Sequence, residues 1–74
     1  MMTCTKITYK LHAVEQMFNR AITQEEVEHV IKHGEAIAAY PMAKPYPSLL
    51  HFAFVDARPI HIVIAQSSDG ECYL

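Results

Sequence analysis

Histidine, glutamine, asparagine and arginine recur in the stretch LHAVEQMFNRAIT (residues 11–23) at spacings that matter only if it is helical. At 100° per residue, His12, Gln16 and Asn19 fall within about 60° of one another, and Arg20 lies about 80° from His12. The four make a polar edge away from the centre of the apolar stripe. Imidazole near its ordinary pKa serves as acid or base, and guanidinium presents a planar fork to phosphate or carboxylate. For Gln16 and Asn19 a solvated helix face is the plainer reading. Two further histidines, His51 in LLHFAF and His61 in PIHIVIA, sit in apolar runs, where an imidazole needs a hydrogen-bond partner or a polar cavity. His29 and His33 stand at i and i+4, a spacing that can bring two imidazoles to one metal. No third ligand is marked, and a histidine near a helix C-terminus has a simpler role against the dipole. No metal and no cofactor is expected.

These side chains need a scaffold, and 74 residues suffice for one domain, 1–74, with a dense core or one shared with a partner such as a second copy. Hydrophobic residues make up 51% and charged residues 19%, which excludes a disordered polyampholyte. The longest apolar run, HFAFVDARPIHIVIA, is broken by Asp56, Arg58 and Pro59, short of the roughly 20 residues of a membrane span. No secretory signal is visible, so the expected location is cytoplasmic. Cys4 and Cys72 would be neighbours if the first and last strands pair, but in that compartment reduced thiols are expected. A net charge of −2 gives no overall hold on nucleic acid. The charge is uneven, however: Lys6, Lys10 and Arg20 make the first segment basic, and Glu25, Glu26, Glu28 and Glu35 make the next one acidic.

TKITY alternates and predicts a short first strand. Leu11, Val14, Met17, Phe18 and Ala21 then define an apolar stripe, predicting a helix from about Lys10 to Arg20 with a poorly marked N-terminus. Thr23 with Glu26 forms a capping box, and Ile22 with Val27 has the spacing of a hydrophobic staple. A second helix over Gln24–His33 follows, burying Val27, Val30 and Ile31, with Gly34 as a left-handed C-cap. EAIAAY, SLLHFAFVD and PIHIVIAQ predict strands, PMAKPYP a stiff connection, SSDG a turn, and ECYL the beginning of a last strand. A two-residue turn on Ala57 and Arg58 would set Phe54 opposite His61 and His51 opposite Ile64, pointing the histidines to opposite faces. The expected fold is α+β: two N-terminal helices packed on a mostly antiparallel sheet, in the order β-α-α-β-β-β-β.

HAVEQMFNRAIT resembles the opening motif of domain-of-unknown-function family 4258, in which His-Ala is followed by Arg-Met, Arg and Ile; Gln16 stands where an arginine is common. GEAIAAYP and RPIHIVIA resemble two later segments of the same family in the same order. The resemblance marks His12 and Arg20. It also implies a fold similar to RelE-like toxins of bacteria, small ribonucleases that are usually basic. A metal-independent ribonuclease needs a base, an acid and a cation for the phosphate, roles that His12, His61 and Arg20 could fill. Lys10 would add a phosphate contact, and Tyr40 and Tyr46 could stack on a base. RNA and an antitoxin-like protein are the partners this implies. The alternative is a non-enzymatic protein-interaction module with structural histidines.

Overall fold

The computed structural model describes residues 2–74. Its elements are β1 (Lys6–Thr8), α1 (Leu11–Asn19), α2 (Gln24–His33), β2 (Glu35–Tyr40), β3 (Ser48–Val55), β4 (Arg58–Gln66) and β5 (Glu71–Tyr73). The strands form one five-stranded sheet in the order β1-β5-β4-β3-β2. It is antiparallel except where β1 runs parallel to β5. The architecture is the expected α+β arrangement.

The capping box starts α2: Thr23 Oγ1 accepts from the Glu26 N–H at 3.1 Å, and Glu26 Oε1 accepts from the Thr23 N–H at 2.9 Å. Val27, Val30 and Ile31 of α2 then bury against Ile60, Ile62 and Ile64 of β4, with Cys72 of β5 completing the core. Alternation along β4 explains the selection, since Pro59, His61 and Val63 turn to the other face and remain exposed. Gly34 ends α2 without the left-handed conformation expected of it; its φ is −78°. Glycine is required there for closeness instead, because a Cβ would lie 2.5 Å from the Val30 carbonyl oxygen and 2.7 Å from that of Phe52.

The β3–β4 turn is Asp56-Ala57, with φ of 50° and 67°, rather than Ala57-Arg58. Two positive φ values give the turn the twist a two-residue hairpin requires. Val55 therefore pairs with Arg58, Phe52 with His61, and His51 with Ile62. The partners differ from the expected ones by one step along each strand, which preserves parity, and the two histidines do occupy opposite faces.

His51 lies on the α2 face and is 4% exposed. Its Nδ1 has no hydrogen-bond partner. Burial holds its pKa below the ordinary 6.5, opposed by a hydrogen bond with the Val30 backbone. A depressed histidine pKa means that the unfolded chain binds the proton more readily. His51 therefore favours folding fully above pH 6.5 and loses that contribution as pH falls from there through its folded-state value. Urea melts of wild type and His51→Leu across pH 5–7.5 are expected to diverge, the variant losing less stability on acidification.

Two expectations are corrected. Leu11, Val14 and Phe18 do not join the core: Leu11 is 75% and Phe18 85% exposed. Only Met17 of the stripe packs against the core, because α1 turns His12, Gln16 and Arg20 toward an open cleft. Cys4 and Cys72 are not free thiols but a disulfide, with Cα atoms 5.6 Å apart. The β1–β5 pairing sets Ile7 against Cys72 and carries Cys4 alongside it.

Candidate functional site

α1 is fastened at its two ends. At the start, the Lys10 N–H donates to the Leu74 carbonyl and the Leu74 N–H to that of Thr8, both at 3.0 Å. At the finish, the Arg58 guanidinium donates to the carbonyls of Arg20 (3.2 Å) and Ala21 (3.1 Å) and to the Glu26 carboxylate (2.9 Å). Glu26 is held below the usual carboxylate range, first by the Thr23 N–H and then by Arg58. Between these fastenings no α1 side chain is fully buried, and a cleft of about 650 Å³ separates the helix from β4.

His12, Arg20 and His61 all line this cleft, with Lys10 and Tyr46. Tyr40 does not, because it ends β2 at the opposite edge of the sheet. His12 Nε2 lies 3.1 Å from Gln16 Nε2, a donor that leaves the ring nitrogen as acceptor. His61 is exposed and rests on Phe52, ring centroids 4.7 Å apart. Tyr46 stacks on Tyr73 at 5.4 Å, and Lys10 Nζ lies 5.8 Å from the Tyr73 centroid. The Tyr73 hydroxyl is raised above its ordinary pKa of 10, by desolvation and then by Glu71.

Tyr73 and Lys44 are lining residues that the sequence does not mark, and Gln16 lines the cleft although a solvated face was its plainer reading. Tyr73 could have been placed through the alternation of ECYL once the strand was paired. Gln16 looked like plain surface, and Lys44 was hidden in the proline-rich connection. With Lys44, Lys10 and Arg20 the wall carries three cationic side chains and no Asp or Glu among its described residues. A net charge of −2 conceals this, since the glutamates lie elsewhere. His29 and His33 have ring centroids 4.9 Å apart and tilted by 41°, but no third His, Cys, Asp or Glu joins them among the described residues. Nor is any described helix long and apolar enough to cross a membrane.

The family model described as "Domain of unknown function (DUF4258)" matches residues 9–74. The chain belongs to the DUF4258 family. No curated protein and no solved structure matches it. The DUF4258 region begins at Tyr9 and contains the whole cleft wall, whereas Cys4 and β1 precede it. Within it the Arg-Pro pair that opens β4 has two separate uses. Arg58 clamps the α1–α2 connection, and Pro59 sits where β4 needs no N–H donor toward β3.

Proposed function

We propose that this DUF4258 chain is a small metal-independent ribonuclease of RelE-like type, acting in the cytoplasm and restrained by an antitoxin-like protein. The observation that carries the reading is one cleft, lined by no Asp or Glu among the described residues, that gathers His12, His61 and Arg20 beside Lys10 and the Tyr46–Tyr73 stack. His12, its Nε2 released by Gln16 when substrate enters, takes the proton of a ribose 2′-hydroxyl as its oxygen attacks the adjacent phosphorus. His61 gives a proton to the departing 5′-oxygen, and Arg20 bears the charge of the phosphorane-like transition state. The products are a 2′,3′-cyclic phosphate and a 5′-hydroxyl end. The tyrosine stack offers a π face to a base.

The test is induction in a bacterial host beside His12→Ala at equal expression, following growth and new RNA ends, with the purified proteins assayed on naked RNA and on translating ribosomes. Wild type is expected to arrest growth and generate 5′-hydroxyl ends. His12→Ala is expected to lose at least about 100-fold in cleavage rate, the smaller end of what a general acid or base contributes. Absence of new ends with wild type on both substrates would remove the enzymatic reading.

The outward stripe of Leu11, Val14 and Phe18 favours a second reading, a protein-interaction module of the same fold that includes self-association as a homodimer. A sedimentation series with wild type and Phe18→Ser decides its self-associating form: concentration-dependent association lost in the variant supports it, and a monomer at all concentrations removes the homodimer.

A further inference from the structure

We infer that the face of the sheet turned away from α2 is a self-complementary interface whose partner is a second copy of this chain. The surface is distinct from the Leu11, Val14 and Phe18 stripe, and the inference does not rest on RNA cleavage.

The register composes the face from β2, β3 and β4. Ile60, Ile62 and Ile64 turn to α2, so the alternate residues of β4 and their partners on β3 turn the other way, Phe52 with His61 and Leu50 with Val63. In β2 the bulge between Ala36 and Ala38 resets the alternation, which carries Ala38 and Tyr40 onto the same side as Glu35. The middle of the face is the apolar column Leu50, Phe52 and Phe54 of β3, and Phe54 and Val63 are more than half exposed. An antiparallel sheet that meets water on one side alternates to polar residues there, and this one does not. Among the described residues of the three strands, Glu35 supplies the face with its one carboxylate and His61 with its one imidazole, on either side of Phe52.

Two-fold symmetry matches this face to itself. An axis along β3, between two such faces, sets β3 over β3 and β2 of each copy over β4 of the other, with the strands aligned as in stacked sheets. Glu35 then meets His61 of the second copy and His61 meets its Glu35, so the pair is made twice. Phe52 meets Phe52 on the axis. Size is complementary as well, because Ala38 lies over Val63 and Tyr40 over Ala65. Contact over this face removes roughly 1,000 Å² from the two copies together, the lower limit for a specific interface, so association in the micromolar range is expected. Nucleic acid is the poorer occupant, since a carboxylate stands on the face itself while Lys10, Arg20 and Lys44 stand on the cleft wall. His61 borders both surfaces, and in the dimer it is engaged by Glu35.

The test is sedimentation of the protein from about 1 µM to about 1 mM. Reversible dimerisation is expected, unchanged in Phe18→Ser. It is expected to weaken at least about tenfold in Glu35→Arg, which opposes a cation to imidazole, and in His61→Glu, which opposes two carboxylates. An equimolar mixture of those two variants is expected to regain association as a heterodimer, because each presents the charge that the other has lost. A mixture of carbon-13-labelled and unlabelled wild type, which requires no variant to fold, should show nuclear Overhauser contacts between copies at Phe52 and from Glu35 to His61. A monomer up to about 1 mM, contacts between copies confined to Leu11, Val14 and Phe18, or a variant mixture that associates no better than its components overturns the inference. Single-stranded RNA that shifts the Phe52 and Phe54 resonances of a protein that stays monomeric also overturns it and makes nucleic acid the occupant. Cleavage is assayed separately, so loss of either reading leaves the other standing.

Discussion

Reduction of the Cys4–Cys72 disulfide is expected to cost about 4 kcal/mol of folding stability. The bond joins residues 68 apart in sequence, and in the chain-entropy account a loop of that length removes about this much freedom from the unfolded ensemble. A domain of this size has only about 4–11 kcal/mol in total, at roughly 0.05–0.15 kcal/mol per residue. Reduced protein should therefore melt on the order of 20 °C lower, at about 4–8 °C per kcal/mol. Cys4→Ala with Cys72→Ala should reproduce the loss without reductant. Thermal melts followed by circular dichroism, with and without a phosphine, check it; an unchanged midpoint would show that the bond does not form. In a reducing cytoplasm the pair opens, and the domain then rests on its hydrophobic core alone.

That core makes the second large effect predictable. Ile64→Ala is expected to destabilise the fold by about 2–5 kcal/mol, the range for removing a buried isoleucine. Ile64 is fully buried among the α2 side chains. β4 cannot move inward to fill the space because β3 holds one edge through the full ladder and β5 holds the other at Ala65. Val63→Ala, one residue away on the open face, removes a side chain that is 53% exposed and should cost less than about 1 kcal/mol. Urea midpoints for the two variants test the assignment of faces directly. Equal losses would mean that both sides of β4 are buried in solution.

Local chemistry explains which elements are legible in the sequence. The second helix was legible at both ends because Thr23, Glu26 and the Val27-Val30-Ile31 stripe agree with one another. The strands of the hairpin were legible from apolar content, and a two-residue turn, whichever pair of residues formed it, placed His51 and His61 on opposite faces. The turn residues were not legible, since Asp56-Ala57 lacks the glycine that announces two positive φ values. The orientation of α1 was hidden for a different reason. Its apolar stripe predicts burial, but α1 borders a cleft at a sheet edge, so the wheel shows which residues share a face and not which face turns inward. His12, Arg20, His61, Lys10 and Tyr46 could be gathered from motif and chemistry. Tyr73, Lys44 and the role of Gln16 depend on strand pairing and loop path, which one sequence does not encode locally. The disulfide was missed because compartment outweighed strand pairing in the inference.

The two fastenings of α1 behave as the abutments of a bridge. Leu74 holds Lys10 at one end and Arg58 holds Arg20 and Ala21 at the other, with Met17 alone of the helix stripe in contact with the core between them. Both ends of the helix are thus pinned through backbone carbonyls, so the length of the cleft is set by the frame and not by the side chains that line it.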